Sequence, residues 1–316
     1  MDIYNKFDYT GKTSKQEKFG NYNLENIPIY YLVIAGGGGG TGAFSSNTQG
    51  AGGGAGGYLN SWNNEQTGGN GEGNNTLLPK NIALGKDYFV QVGGGGRYGG
   101  NDAGGGGEFD GRQGFPSQFD DVKALGGGGG VWKTDLPNSA TVGSGGGARS
   151  NLQLTDYPPN NVHILGTFQN QTMGSVGRNA ETDTGYGDRA GGGGGGASGD
   201  STTYTHTSSG VAGLSSSINN SAVTRGVGGN GRASGTGNGS NGTVNRGNGG
   251  QGGAYQSFGY GSRRGGSGGK GIVILRYSST YSINTDAGLT VGTETTVGGE
   301  KYIEITSGTG YVRWSE

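Results

Sequence analysis

The sequence contains no cysteine, six prolines, two histidines and few apolar residues. Without cysteine it forms neither disulfides nor thiolate metal sites, and the composition indicates no redox compartment. Hydrophobic residues occupy 28% of the 316 positions, too few for an ordinary core of this length. We therefore expect one or two small β cores. The longest apolar runs, YYLVIA and IVIL, are too short to span a bilayer, and we expect neither a signal peptide nor membrane insertion.

The chain has no excess of charge of either sign. Its 22 basic and 23 acidic residues give a formal net charge of −1, and the two signs are mixed along the sequence. No basic stripe is present that would attract nucleic acid or anionic lipid. We expect neither as a partner.

Glycine is the abundant residue, at 80 of 316 positions. Such a composition usually indicates a flexible, low-complexity chain. Collagen is excluded because proline is scarce and no sustained Gly-X-Y register exists. A third explanation is a bundle of extended, left-handed helices of the polyproline II type, built from glycine. The glycine runs that such a bundle would use are residues 36–40, 93–96, 104–107, 126–130, 145–147 and 191–196.

The polyglycine explanation places specific demands on the sequence. A helix with three residues per turn and no internal hydrogen bonds can pair its amides sideways if its neighbours come close. A buried helix must then be glycine throughout, and the run 191–196 fits a central position. A helix at the edge can carry a side chain at every third residue. The triplets that fit an edge contain Gln251 and Ala254, Ser267 and Lys270, Ala55 and Tyr58, or Val227 and Asn230.

Short β-strands are predicted at the ends of these glycine runs. Residues 30–35, 88–92 and 271–277 are rich in β-branched and aromatic residues. Strand-then-glycine recurs as a loose repeat rather than a fixed period. Near the C-terminus, residues 301–306 and 311–315 alternate around SGTG, which predicts a β-hairpin whose apolar face would comprise Ile303, Ile305, Val312 and Trp314. The predicted fold is mainly β and irregular, a bundle or sandwich of polyglycine II helices framed by short strands, with almost no α-helix.

The sequence carries no convincing catalytic or cofactor motif. Gly37, Gly39 and Gly42 satisfy the dinucleotide fingerprint G-x-G-x-x-G, but AFSSNTQGAGGG follows where that motif requires a helix. His163 and His206 lie apart without a nucleophile motif. No metal-ligand cluster or phosphate-binding loop occurs. We expect no enzyme activity, cofactor or metal.

Several segments together resemble a known family. YYLVIAGGGGG, GAGGGAGGY, DYFVQVGGGG, RAGGGGGGASG and GGSGGKGIVILRY are similar to the glycine-rich domain of bacteriophage tail-fibre proteins, with GGSGGKGIVILRY the most specific. The chain is also similar in design to the small adhesins that cap the long tail fibres of some T-even-like phages. The resemblance covers residues 30–277. It implies a sandwich of polyglycine II helices that presents variable distal loops to a host surface receptor.

The segments between the glycine runs are candidates for these loops. They combine Tyr, Trp, Ser, Asn and Gly, as antibody binding loops do, and several are much longer than a turn requires. Some of them act only as connections. Aromatic residues and arginine are the commonest hot-spot residues, which is the basis for choosing anchors. The predicted receptor-binding residues are Trp62, Trp132, Arg149, Tyr157, Phe168, Tyr204, His206, Tyr255, Phe258, Tyr260, Arg263 and Arg264.

These inferences predict three regions and one function. Residues 1–29 form an N-terminal attachment or edge segment, 30–277 the glycine-rich domain, and 278–316 the C-terminal hairpin segment. The function expected is that of a virion receptor-binding protein, extracellular after lysis. Its partners would be an outer-membrane protein loop or glycan of the host and other fibre proteins. A non-adhesive virion protein, such as a fibre joint or capsid decoration, is the alternative. An ice-binding protein is disfavoured because Thr202, Thr203, Thr205 and Thr207 cluster in one loop.

Overall fold

The structure is a computed structural model of the whole chain. The residues that it describes are 26–43, 49–69, 76–100, 110–131, 140–148, 163–165, 167–169, 171–178, 191–199, 208–232, 237–254 and 263–316. Within these ranges there is no α-helix, and hence no helix able to cross a bilayer. The predicted mainly β fold is confirmed.

The strands are short, apart from one of 16 residues at the C-terminus. Their bounds are β1 Ile27–Ile34, β2 Tyr58–Asn60, β3 Lys80–Ile82, β4 Tyr88–Val92, β5 Ser117–Phe119, β6 Val122–Ala124, β7 Ala140–Val142, β8 His163–Leu165, β9 Thr167–Phe168, β10 Gln171–Thr172, β11 Leu214–Ser216, β12 Val223–Arg225, β13 Ile272–Ser278, β14 Ser282–Thr285, β15 Leu289–Val291, β16 Thr295–Val297 and β17 Glu300–Ser315.

One antiparallel sheet connects the two ends of the described chain. Its main path runs β2-β1-β13-β17-β4-β5-β6, with β3 beside β1 and with β14, β15 and β16 beside β17. The apolar strands at 30–35 and 271–277, predicted from composition, are the adjacent pair β1 and β13, in register from Tyr30 opposite Arg276 to Ile34 opposite Ile272. The larger hydrophobic core lies against this sheet and contains Tyr31, Tyr88, Phe119, Tyr277 and Trp314.

The predicted C-terminal hairpin is wrong. Residues 300–315 form a single strand that pairs with β13 in its first part and with β4 in its second. The predicted apolar face is nevertheless present, since Ile303, Ile305, Val312 and Trp314 all pack into the larger core. The inward positions change from odd to even numbers between Ile305 and Val312. That change in alternation suits a turn, but here β17 stays one strand, whose register with β15 skips a residue between Ile305 and Ser307, next to Gly308 at φ +103°.

The glycine-rich segments form extended rods that pack side by side. We number them in chain order. Rods 1 to 13 are residues 35–41, 50–57, 93–99, 111–116, 125–131, 143–148, 174–178, 191–197, 209–213, 226–232, 237–243, 247–254 and 263–271.

Rod 1 has the three-residue repeat of a polyglycine II helix. The amides of Gly36 and Gly39 donate to rod 4, those of Gly37 and Gly40 donate to rod 13, and those of residues 38 and 41 donate to rod 2. Its carbonyls accept from rods 5, 3 and 12 with the same three-residue spacing. Every third residue therefore faces the same neighbour, as three residues per turn require. Rod 1 has six neighbours, and its amides from residue 35 to residue 41 are all paired.

The rods form a lattice of three layers. Rods 3, 1, 2 and 8 make the central layer, with rods 4, 5, 6 and 7 on one side. Rods 13, 12, 10 and 9 lie on the other side, and rod 11 lies outside rods 12 and 13. Rod 8 contains the six-glycine run 191–196, whose predicted central position is confirmed by its burial and by its bonds to rods 2, 6, 7, 9 and 10.

Some of the predictions for edge rods are confirmed and others are wrong. Ser267 and Lys270 are half-buried and Asn230 is exposed, as an edge position requires. The prediction is wrong for Ala55, Tyr58 and Ala254, since all three are fully buried; rod 2, which contains Ala55, bonds to six other rods. A triplet pattern records residue types only, whereas the number of neighbours depends on the path of the chain.

Asparagine side chains complete the hydrogen bonding at the outer layer. Asn238 and Asn241, three residues apart on rod 11, accept bonds from the amides of Arg264 and Ser267 on rod 13 at 3.3 and 2.9 Å. Asn230 likewise accepts from the amide of Gly210 at 2.7 Å. These side chains replace the carbonyls of a further rod. The lattice therefore ends without leaving those amides unpaired.

Close packing of the rods requires glycine at the interior positions. A Cβ atom at Gly38 would lie 2.1 Å from the carbonyl oxygen of Gly128, a backbone atom that cannot move aside. At Gly94, on the exposed side of rod 3, a Cβ would meet only a ring atom of Phe115 at 3.8 Å. The two positions share one residue type and one layer but differ in packing.

We predict opposite effects of alanine at these two glycines. Gly38→Ala should lower the free energy of unfolding by about 1–3 kcal/mol or more, because the overpacked methyl group forces rods apart. Gly94→Ala should leave it unchanged or raise it by up to about 1 kcal/mol, since alanine restricts the unfolded chain. Denaturant unfolding of both variants measures the difference. Equal effects would contradict the close-packed lattice.

We also predict that stability falls at alkaline pH. Burial raises the pKa of Tyr31, Tyr58 and Tyr277 well above the ordinary value of 10.0. These groups stay protonated when folded and ionise at their ordinary pKa when unfolded, so their contribution is complete below pH 10 and is lost above it. Unfolding followed by tyrosinate absorbance measures this. Tyr31→Phe should reduce the loss, and an unchanged pH dependence in that variant would contradict the assignment.

Candidate functional site

The rods give the molecule two distinct ends. Rod 1 follows β1, rod 3 follows β4 and rod 13 leads into β13, so the sheet lies at one end of the rods. We call the opposite end the distal end. There, isolated bridges join Ala43 to Arg263, Gly237 to Ala254, and Val131 to Ala148.

Most of the undescribed segments within the glycine-rich region connect to distal residues. For one group, the described residues on both sides lie at the distal end: 44–48, 101–109, 179–190, 233–236 and 255–262. For a second group, one flanking residue is distal and the other lies toward the sheet: 132–139, 149–162 and 200–207. Described residues that flank these segments thus lie at the same end of the lattice, although they are far apart in sequence.

An arginine–tyrosine cluster lies where rods 3 and 13 reach the distal end. The Arg264 guanidinium lies over the Tyr98 ring, 4.9 Å from its centroid, and its Nη1 donates a 3.0 Å hydrogen bond to the Tyr98 hydroxyl. The exposed Arg97 lies 5.4 Å from the same ring centroid. Two cations thus contact one aromatic ring, an arrangement that favours both packing and polar recognition.

This cluster borders the base of segment 255–262. Ala254 enters the segment and donates from its amide to the carbonyl of Gly237, at 3.0 Å. Arg263 leaves the segment and exchanges two backbone bonds with Ala43, at 2.8 and 3.0 Å. Both ends of this predicted binding loop are therefore held by the lattice, and Arg264 attaches its exit to Tyr98.

The described residues near the distal end are predominantly basic. Charged residues toward the sheet are of both signs, but the distal positions that the structure describes carry one acidic residue, Asp110. The arginines there are Arg97, Arg112, Arg178, Arg232, Arg263 and Arg264. Guanidinium groups suit planar, hydrogen-bonded recognition of polar or anionic groups.

The structure does not bring all the predicted anchors together. Arg263 and Arg264 lie at the distal end, whereas Trp62 and Phe168 lie at the sheet end. The remaining predicted residues fall outside the described residues: Trp132, Arg149, Tyr157, Tyr204, His206, Tyr255, Phe258 and Tyr260. Their roles stay predictions.

Trp62 has a set of packing partners at the sheet. Its ring meets Tyr30 edge to face at a centroid distance of 5.2 Å, and the Arg276 guanidinium carbon lies 4.1 Å from the ring centroid. Its indole nitrogen donates to Ser217 at 3.4 Å. Arg276 is itself paired with Glu300 at 2.8 Å. These contacts stabilise the junction between the sheet and residues 217–218, and Phe168 similarly packs against the larger core.

Sequence reasoning missed Arg97 and Tyr98. They interrupt a glycine stretch, GGGGRYGG, and lie outside the segments from which the anchors were predicted. A usable signal was present, because arginine also closes rods 7 and 10, at Arg178 and Arg232. An arginine at or near the distal end of a glycine run is thus a recurring feature of these rods.

The described distal residues carry hydrogen-bonding and aromatic groups. They provide guanidinium groups, a phenol and main-chain amides. Across the parts of the chain that the structure describes, no three His, Asp or Glu residues group so as to hold a metal.

Comparison with known proteins identifies a family. A family model described as "Glycine-rich domain" matches residues 15–278, which is most of the chain. No curated protein matches the sequence.

We predict that Tyr98 holds the base of segment 255–262 in place. Tyr98→Ala removes the ring and hydroxyl that bind Arg264, a loss of about 1–2 kcal/mol. Amide hydrogen exchange around residues 43 and 263 should then rise about 5- to 30-fold. Mass spectrometry of peptides covering these residues measures the rate. The control is Phe115→Ala, which removes an exposed aromatic side chain from rod 4. Equal exchange rates in the two variants would contradict the role of Tyr98.

Proposed function

The chain belongs to the glycine-rich domain family. From the resemblance of its sequence to tail-fibre domains and from the arrangement of its distal end, we propose that it is a virion receptor-binding protein of a bacteriophage tail fibre. It would recognise a host cell-surface receptor through loops displayed on the polyglycine lattice. The observation that carries the proposal is the gathering of loop bases at one end of a rigid lattice, next to an arginine–tyrosine cluster.

The lattice supports this function because it separates the frame from the binding surface. Its hydrogen bonds are made chiefly by main-chain groups of glycine, with a few by outer-layer asparagines. Substitutions in the segments between rods leave those bonds intact. A protein that must follow a changing receptor gains from loops that vary on a constant frame.

The distal chemistry supports a binding role. Tyrosine and arginine are enriched among residues that dominate binding energy. Arg264 is held against Tyr98, so part of its side-chain entropy is lost before a partner binds. The partner would be an outer-membrane protein loop or a glycan of the host. Other fibre proteins would attach the chain to the virion, which is extracellular after lysis.

We predict that the aromatic residues of segment 255–262 are needed for adsorption. The triple variant Tyr255→Ala, Phe258→Ala, Tyr260→Ala should lower binding to host cells at least about tenfold, because each removes a hot-spot side chain. The measurement is binding of the purified protein to host cells in competition with the intact phage. The control is Phe115→Ala, a 62% exposed aromatic residue near the sheet end.

The same experiment separates an adhesin from an architectural virion protein. A fibre joint or capsid decoration would use the same lattice but would not compete with the phage for cells. If wild-type protein fails to compete, or if the triple variant competes as well as wild type, the proposed function is wrong.

A further inference from the structure

A second surface with recognition chemistry lies on the sheet, away from the distal end. Residues of β14 and β17, with the residue before β4 and the residue after β14, line an open groove of about 390 Å³. Its lining residues are Asp87, Asn284, Thr285, Asp286, Tyr311 and Arg313. The inward positions of the same strands, including Tyr88, Val312 and Trp314, belong to the core. The groove therefore lies on strands whose other face packs into the larger core.

The side chains form two rows across the sheet. In the first row, Phe89 is opposite Tyr311, and Asp286 accepts a 2.8 Å hydrogen bond from the amide of Tyr311. In the second row, Asp87 pairs with Arg313, which lies opposite Asn284. The first row supplies an aromatic platform, and the second supplies donors and acceptors.

Tyr311 is an exposed aromatic residue held in a fixed position. Its side chain is 48% exposed, yet its ring meets Phe89 at a centroid distance of 5.8 Å with an interplanar angle of 70°. An aromatic face is electron-rich and attracts polarised C–H groups. A flat ring of C–H groups, such as one face of a sugar, can pack on it while losing little side-chain entropy.

The polar groups beside Tyr311 are preorganised. Arg313 donates from Nε and Nη2 to the two carboxylate oxygens of Asp87, both at 2.7 Å. This bidentate pair fixes both side chains, although each is half-exposed. The hydrogen bonds from Arg313 also lower the pKa of Asp87, which stays ionised as an acceptor. Each carboxylate oxygen of Asp87 can accept one more hydrogen bond, and the Nη1 group of Arg313 is a further donor at the groove.

Asn284 adds a polar group that is not engaged elsewhere. It is exposed, and within the described residues its side chain makes no hydrogen bond. An amide offers two donors and an acceptor, which matches the vicinal hydroxyl groups of a sugar.

We propose that this groove is a saccharide-binding site that takes one or two rings of a neutral sugar, stacked on Tyr311 and hydrogen-bonded by Asp87, Asn284, Asp286 and Arg313. The volume lies at the lower end of the range for small-molecule sites. Two carboxylates and one guanidinium leave a net negative charge, which disfavours acidic sugars and phosphates. The Asp87 carboxylate is committed to Arg313, which disfavours a metal ion.

The test is sugar binding in solution. Methyl glycosides of glucose, galactose, mannose and N-acetylglucosamine are added singly to the purified full-length protein. Saturation-transfer NMR then detects contact with the sugar protons. We expect at least one glycoside to bind with about millimolar affinity. We expect Tyr311→Ala and Asn284→Ala each to weaken that binding about tenfold or more, and Tyr311→Phe to retain it.

The controls separate this site from general surface effects. Leu78→Ala removes another exposed side chain, at 72% exposure and outside the groove, and should leave binding unchanged. The proposal is overturned if wild type binds none of the glycosides, or if Tyr311→Ala and Asn284→Ala bind as wild type does. The experiment uses no host cells and no distal residue, so its outcome is independent of the adsorption test.

Discussion

Lateral hydrogen bonding between main chains is the constraint on which this structure depends. Along rod 1, successive amides turn to three different neighbours and return to the first after three residues. The bonds are individually worth about 1 kcal/mol, and ordering glycine opposes them strongly. The lattice is stable only because nearly every interior amide is paired at once. This requirement excludes side chains from the interior and explains why glycine occupies 80 of 316 positions.

The sheet provides what the lattice lacks. Rods without side chains bury little apolar area, so hydrophobic stabilisation comes from the core around Tyr31, Phe119 and Trp314. Strand β17 pairs with β13 and β4, and thereby links the strands that lead into rod 3 and out of rod 13. The sheet also sets the starting positions of rods 1 and 3. The outward face of this framework is free to carry chemistry, as the groove at Tyr311 shows.

The two ends of the rods differ in character for a physical reason. At the sheet end, aromatic residues such as Trp62 are engaged in packing and ion-pair contacts. At the distal end, Arg97, Tyr98 and Arg264 follow or precede glycine, where the lattice closes and side chains are again permitted. Residue type alone does not distinguish these cases. Trp62 and Arg264 were both predicted as receptor-binding residues from their residue types, yet the fold places them at opposite ends of the rods.

The amino-acid sequence by itself determined the mode of packing, because only glycine permits rods to approach so closely. It also determined β1, β4 and β13, because their runs of β-branched and aromatic residues favour a strand over a helix. Tertiary structure alone decided which rods are central, because the path of the chain sets how many rods surround each one. Ala55 is an example: its triplet pattern predicted an edge rod, yet it is fully buried. It also decided that residues 300–315 form one strand, since an irregularity between Ile305 and Ser307 accommodates the change of alternation that otherwise indicates a turn.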